Sequence, residues 1–304
     1  MGLMIDGVYR SDDPEPGTTA DGSFQRQSAT IRNQLPRAAD IRRYHLFAAW
    51  NCPWAHRVLL VRALIGLELS VSYALPRRTD EGWVFEEEGP YSDQLFGASA
   101  LHEVYARHRP AYTGRITVPL LWDRETDTAI SNESADLVRM LGKAKPNGLD
   151  LCPQALEEQI DSWNALVYPA LNNGVYRAGF ARTQAAYDIA VTEVFAALDE
   201  IEAHLAGNTW LCGEELTEAD VRLFPTLARF DVAYHYAFKC NIRRLSDYPR
   251  LWTYARRFYA LPGVARTVRF DIYKQGYFSP SELRNPLGIV PRGPDIDWTL
   301  SEDQ

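Results

Sequence analysis

Trp50-Asn51-Cys52-Pro53-Trp54-Ala55-His56-Arg57 lies between a strand-like run, Tyr44-His45-Leu46-Phe47-Ala48, and a helical run that includes Val58, Leu59, Arg62 and Leu64. The chain therefore passes from strand to helix at Cys52. Pro53 suits the first helical position, where the N–H it lacks would have no partner anyway. A cysteine just ahead of a helix meets free backbone N–H groups and the positive end of the helix dipole, and both favour thiolate over thiol. The thiolate is a nucleophile. Position 55 is Ala, so no second cysteine stands three residues on to resolve a mixed disulfide internally, and a thiol from outside is required. The competing reading is a buried structural cysteine.

Working outward, Ser70-Val71-Ser72-Tyr73-Ala74-Leu75, closed by Pro76, supplies a second strand and completes a β-α-β unit with a parallel pair. Residues 76–115 carry charge runs, Gly and Pro, with a short helix near Leu101–Arg107, and read as an insertion that holds Trp83. Thr117-Val118-Pro119-Leu120-Leu121-Trp122-Asp123 is the next strand; its proline belongs at an edge or where the missing N–H is irrelevant. Thr128-Ala129-Ile130 pairs with it through a turn at Asp123–Asp127. Ser131-Asn132-Glu133-Ser134 then opens a helix through Leu137, Val138 and Leu141, with Ser131 or Asn132 as its cap. These elements place one domain over residues 44–145. Ahead of it, residues 1–43 form an irregular arm anchored by Phe24, Ile31 and Leu35; behind it, Gly142–Cys152 is a linker broken by Pro146, Asn147 and Gly148.

From 154 the pattern is helical and defines a second domain over 154–265. Tyr187, Val191, Val194, Leu198, Ile201 and Leu205 make one apolar stripe, stopped by Gly207-Asn208. Thr217-Glu218-Ala219-Asp220 is a capping-box analogue with Asp for Glu, and the run from Val221 to about Phe238 is apolar nearly all round, as a central bundle helix requires. Another helix runs from about Tyr248 to Ala260. Residues 266–304 form a tail with Tyr273, Tyr277 and Phe278, and Pro286, Pro291 and Pro294 oppose a long helix beyond that point.

With 304 residues, two domains are expected. Net charge is −8, which argues against nucleic acid or an anionic membrane as partner. No apolar run approaches the ~18 residues of a membrane span. The start, Met1-Gly2-Leu3-Met4-Ile5-Asp6, has no basic region followed by an apolar core, so no signal peptide is expected, and Asp6 opposes myristoylation at Gly2. Cys52, Cys152, Cys212 and Cys240 have neither metal-type nor framework spacing, so no metal is expected and a reducing cytoplasm is the simplest setting. The last three have no reactive context, and His45 and His56 read as structural or surface groups.

An α/β thioredoxin-like N-terminal domain followed by an all-α domain resembles the glutathione transferases. Asn51-Cys52-Pro53-Trp54-Ala55-His56-Arg57 is similar to the NCPWAxR signature of the glutathionyl-hydroquinone reductases, the xi class of that superfamily. Gly82–Phe85, Thr117–Asp123, Asn132–Ala135, Asn172–Phe180 and Asn285–Pro294 match that family in order across nearly the whole chain.

The resemblance implies an activity. Cys52 attacks the sulfur of an aromatic glutathione conjugate, the hydroquinone leaves, and a second glutathione resolves the Cys52–glutathione disulfide. It also implies a cis bond at Val118-Pro119, with Val118 pairing to the glutathione main chain. Glu133 and Ser134 would take the γ-glutamyl ammonium and carboxylate, Trp83 would pack over glutathione, and Arg115 would reach a carboxylate. Tyr176, Tyr234 and Tyr277 would form the acceptor pocket in the helical domain and tail, with Tyr176 and Tyr277 acting in catalysis. Small aromatic conjugates and a second copy of the chain are the implied partners, and glutathione is the co-substrate. The tail departs from the family: Gly276-Tyr277-Phe278 stands where His-Tyr-Tyr or His-Tyr-Phe is usual, and Pro280-Ser281 replaces a Ser-His pair. Two other readings stay open: an omega-like thiol transferase or dehydroascorbate reductase, and a ligand-binding homologue without catalysis.

Overall fold

The two-residue link Asp6-Gly7, with φ of 49° and 80°, turns the N-terminus back on itself in a computed structural model of the chain. A type I′ hairpin turn needs positive φ at both positions, which Asp-Gly supplies at low cost. Strands β1 (Leu3–Ile5) and β2 (Val8–Arg10) are therefore antiparallel. The N-terminal arm is thus not irregular throughout: strands of three residues are too short to show a period, and the Asp-Gly pair is their only signal.

The structure describes residues 2–11, 17–36, 40–143 and 148–300. The linker breakers Pro146 and Asn147, and residues 12–16 of the N-terminal arm, lie outside them. The chain divides into two compact units, Met1–Pro16 with Gln27–Pro146, and Gly17–Arg26 with Asn147–Gln304.

In the first unit, β3 (Tyr44–Ala48) is buried at every position. Helix α1 (Pro53–Ile65) follows Cys52 and ends at Gly66 in the left-handed conformation that glycine adopts without strain (φ 69°). Strand β4 (Ser70–Tyr73) pairs in parallel with β3. The insertion contributes α2 (Leu101–His108) and β5 (Gly114–Arg115), and β5 joins the hairpin in a small sheet of order β2-β1-β5. Strands β6 (Leu120–Asp123) and β7 (Thr128–Ser131) complete the main sheet, of order β4-β3-β6-β7, with β3–β6 and β6–β7 antiparallel. Helix α3 (Ser134–Gly142) packs beside α1. Leu46, Phe47, Leu120, Leu121 and Trp122 are wholly buried between these layers. The arm also runs along β7: Asn33 N–H donates to the Ile130 carbonyl (2.9 Å) and Asn132 N–H to that of Ile31 (3.0 Å). Pairing of this kind closes an otherwise open sheet edge.

The second unit is helical: α4 (Glu157–Val167), α5 (Gly174–Gly179), α6 (Gln184–His204), α7 (Glu218–Arg229), α8 (His235–Ala237), α9 (Pro249–Ala260) and α10 (Phe270–Tyr277). Asp220 accepts from Thr217 N–H at 2.8 Å, as the capping pattern requires. All of α7 except Arg222 is buried. The central helix is not regular, however: between α7 and α8 it passes through a π-type turn, Phe230–Tyr234, and a second such turn, Tyr168–Asn172, joins α4 to α5. An apolar pattern reports burial, and it does not distinguish a four-residue from a five-residue hydrogen-bond step. Within the C-terminal tail, Tyr277 is the last residue of α10, and Pro286, Pro291 and Pro294 lie beyond it.

Candidate active site

Six side chains of the Trp50–Arg57 stretch have distinct structural uses. The Trp50 ring stacks on Tyr73 at the end of β4 (centroids 4.2 Å apart, 4° between planes). Asn51 Nδ2 donates to the Pro76 carbonyl at 2.8 Å, which fixes the loop to the chain just past β4. Cys52 is the N-cap of α1, with Pro53 at the first helical position. Its Sγ lies 3.4 Å from the carbonyl oxygen of Val118, to which the thiol donates. The Arg57 guanidinium sits 4.6 Å over the Trp54 ring and Nη1 donates to Ser134 Oγ at 3.2 Å. Buried Arg57 thus ties the start of α1 to the start of α3. It is a member of the signature, yet its spacing alone gives no hint of that partner 77 residues away.

The Val118-Pro119 bond is cis. Val118 and Pro119 are buried, and Val118 N–H makes no hydrogen bond among the described residues. At the head of α3 the cap is Glu133, not Ser131 or Asn132: Glu133 Oε1 accepts from Ala135 N–H at 3.0 Å. Ser131 instead uses Oγ to accept from Glu133 N–H (3.0 Å). Asn132 is drawn inward. Its Oδ1 accepts from Ile31 N–H (3.1 Å) and its Nδ2 donates to Tyr105 Oη (3.1 Å) and Thr117 Oγ1 (3.4 Å). Tyr105 Oη also donates to the Thr117 carbonyl at 2.8 Å. One buried network therefore holds the residue before Val118 and the residue before Glu133.

Ser134 N–H, at the first position of α3, has no partner among the described residues. Open N–H groups at Val118 and Ser134, with a carboxylate at Glu133, match the chemistry of an amino-acid main chain and its charged terminus. Trp83 is buried, with the Arg78 guanidinium 4.5 Å over its ring. Arg115 lies in β5, where its Nε donates to Gln27 Oε1 at 3.1 Å.

In the second unit the three tyrosines meet. Tyr277 Oη is 2.7 Å from Tyr176 Oη and 3.0 Å from Tyr234 Oη. Burial raises the hydroxyls of Tyr234 and Tyr277 well above the usual phenol range, so both stay protonated at neutral pH. The Phe238 ring stacks on Tyr234 (5.3 Å, 16°) and meets Tyr176 and Tyr277 edge-on. That approach requires glycine at 179: a Cβ there would stand 2.2 Å from the Phe238 ring. Arg229 is wholly buried, 3.7 Å over the Tyr273 ring. It is one of two arginines, with Arg222, in the largely apolar run from Val221 to Phe238, and burial separates the two.

The remaining candidates are structural. His45 and His56 are both buried, so neither is a surface group. Burial, aided by Arg124, holds His45 down to about 4. Burial pushes the Cys240 thiol up to about 12 and raises that of Cys212. Among the described residues, no group of three or more His, Cys, Asp or Glu is arranged to hold a metal ion, and no helix is long and apolar enough to cross a membrane.

A four-stranded mixed sheet with a Cys-Pro helix start, followed by a helical unit, defines a glutathione transferase architecture. Family models agree: the glutathione S-transferase N-terminal domain matches residues 51–144 and the C-terminal domain residues 184–257. The chain is 44% identical to glutathionyl-hydroquinone reductase PcpF of Sphingobium chlorophenolicum, over 97% of this chain and 96% of that one. It is 41% identical to glutathionyl-hydroquinone reductase YqjG of Escherichia coli, over 100% and 99%. The glutathione-bound structure of YqjG superposes with a TM-score of 0.83 over 97% of this chain and 96% of that one. A xi-class transferase from Natrialba magadii gives 0.91 at 41% identity, over 99% and 96%. The chain belongs to the glutathionyl-hydroquinone reductase family, the xi class of glutathione transferases.

Proposed function

We propose that the chain reduces glutathionyl-hydroquinones to hydroquinones, with glutathione as co-substrate and Cys52 as nucleophile. The observation that carries the reading is the Cys52 thiol, 3.4 Å from the Val118 carbonyl, beside a backbone N–H that no group among the described residues uses. The 44% identity to a named reductase supports it.

In the first half-reaction the Cys52 thiolate attacks the glutathione sulfur of the conjugate. A sulfur–sulfur bond forms and the sulfur–aryl bond breaks. The electron pair of the broken bond passes to the aryl carbon, which takes a proton and leaves as hydroquinone. In the second, a glutathione thiolate attacks the glutathione sulfur of the mixed disulfide, releasing oxidised glutathione and restoring the Cys52 thiolate. Overall one glutathione thiol and the thioether sulfur of the conjugate become the disulfide of oxidised glutathione, and the aryl carbon takes up the two electrons and a proton.

Val118, with Pro119 shaping its backbone, pairs with the peptide main chain of glutathione. Glu133 meets the γ-glutamyl ammonium and Ser134 N–H its carboxylate, Trp83 packs over the tripeptide, and Arg115 reaches a carboxylate. Tyr176, Tyr234 and Tyr277 are assigned to the hydroquinone: protonated phenols hydrogen-bond its oxygens, and Tyr176 or Tyr277 delivers the proton to carbon. The Gly276-Tyr277-Phe278 departure sets the substrate range. Cytoplasmic glutathione is the natural supply of the resolving thiol, and a homodimer is the proposed assembly.

The test is turnover of glutathionyl-menadiol with glutathione. Oxidised glutathione and menadiol are expected in equal amounts, and Cys52→Ala should remove both. Turnover that survives the substitution refutes the mechanism, and faster reduction of dehydroascorbate than of the conjugate would favour the omega-like activity.

A further inference from the structure

Residues 17–26 precede the thioredoxin-like core in sequence, yet they belong to the helical unit. They form a closed loop: Gln25 N–H donates to the Gly17 carbonyl (2.6 Å) and Thr19 N–H to that of Ser23 (2.9 Å). The loop is pinned at the start of α6, where Arg182 N–H donates to the Gly22 carbonyl and Thr183 Oγ1 to that of Asp21, both at 2.9 Å. Phe24 is buried and its ring stacks on Phe180 (5.2 Å, 29°). Arg26 then reaches the phenol cluster. Its guanidinium lies 4.7 Å from the centre of the Tyr176 ring, and its Nε donates to Asn173 Oδ1 at 2.8 Å, one turn before Tyr176.

We infer that Arg26 is a positioning residue for the acceptor phenols, acting through Tyr176. The ring of Tyr176 has Phe238 edge-on at 5.2 Å, Phe180 in a parallel stack at 6.0 Å and the Arg26 cation 4.7 Å from its centre. A half-buried tyrosine keeps some rotamer freedom, and a cation over its ring resists the change. The bond to Asn173 holds the guanidinium itself in place, so the constraint passes from the loop to α5 and on to the Tyr176–Tyr277 contact. A planar, fixed guanidinium suits this task better than the mobile ammonium of lysine. The inference rests on the reading that Tyr176 meets the hydroquinone.

The test is a double-mutant cycle on the full-length protein, reading kcat/KM for glutathionyl-menadiol at saturating glutathione. Tyr176→Phe is expected to lower it roughly tenfold to a hundredfold, and Arg26→Met roughly tenfold, on the scale of misplacing a reacting group. The double variant should fall no further than Tyr176→Phe alone, because the hydroxyl that Arg26 positions is already gone. Arg26→Lys should recover part of the loss, and it serves the same cycle if the Met variant does not fold. Losses that multiply in the double variant, or an Arg26→Met enzyme equal to wild type, overturn the inference while leaving the acceptor reading intact. A Tyr176→Phe enzyme equal to wild type overturns both.

Discussion

The Cys52 thiol donates to the Val118 carbonyl oxygen across 3.4 Å, linking two chain segments 66 residues apart. Burial sets two of the other three thiols apart. Cys240 is wholly buried with its thiol pushed up to about 12, and buried Cys212 is also raised, so both remain protonated at neutral pH. Treatment with oxidised glutathione is therefore expected to add one glutathione, on Cys52, as read by intact mass and peptide mapping. Cys52→Ser should accept none. An adduct on half-buried Cys152 in that variant would move the reactive centre.

Tyr277 holds both hydroxyl contacts of the phenol cluster. Tyr277→Phe should lower kcat/KM for glutathionyl-menadiol by about a hundredfold, the scale of lost general-acid assistance, and Tyr234→Phe by less, since it removes only the 3.0 Å contact. The pH–rate profile separates the roles further. The hydroxyls of Tyr234 and Tyr277 are raised well above 10 by burial, so neither loses its proton between pH 6 and 10. An alkaline limb in that range must come from another group, and Tyr277→Phe should lower the profile without moving the limb. A limb that vanishes in the variant would contradict the assigned protonation.

The junction at Cys52 is legible in the sequence because its signals are local: a buried strand, a proline at the first helical position, and an apolar helix behind. The Glu133-Ser134 helix start is legible to within the capping residue for the same reason. Contacts between segments distant in the chain are not. Nothing in the spacing of Arg57 points to Ser134, and nothing in Arg26 points to Tyr176, since each partnership is set by the tertiary fold. The π-type turn at Phe230–Tyr234 is hidden for a different reason, because side-chain burial is nearly indifferent to one extra residue in the backbone step. The β1–β2 hairpin does carry a local signal, Asp6-Gly7, but strands of three residues supply no period to support it.

Asn132 ties two chain segments at once, the Thr117 hydroxyl through Nδ2 and the Ile31 backbone N–H through Oδ1. Asn132→Ala leaves a buried N–H at Ile31 without that partner, which costs about 1–3 kcal/mol of stability, and frees Thr117 to shift relative to Glu133. The expected signature is a KM for glutathione raised several-fold, with conjugate KM little changed. Asn132→Asp preserves the acceptor for Ile31 N–H and should be the milder substitution. Equal effects on both KM values would mean that the network supports the fold alone.

His45 joins the packing of the sheet to stability in acid. It is fully buried, with Nδ1 2.8 Å from Ser70 Oγ and Nε2 2.8 Å from Ser72 Oγ. Arg124 faces Nδ1 at 3.2 Å, and Asp93 accepts from Ser72 on the other side. Burial, with Arg124 second, holds the ring down to about 4, against 6.5 for the free side chain. Below pH 6.5 the unfolded chain takes up a proton that the folded chain refuses, so stability falls as pH drops from about 6.5 to about 4 and then levels off for this group. At about 1.4 kcal/mol per pH unit the loss reaches about 3 kcal/mol by pH 4. Asp123, held at about 2 by Arg43, acts in a lower window: its contribution is present above about pH 4 and is lost as pH falls towards 2. Urea midpoints at pH 7, 5.5 and 4 for wild type and His45→Asn separate the two groups. Wild type should lose about 3 kcal/mol more than the variant across that range, and parallel decline of the two proteins would show that His45 is not the group responsible.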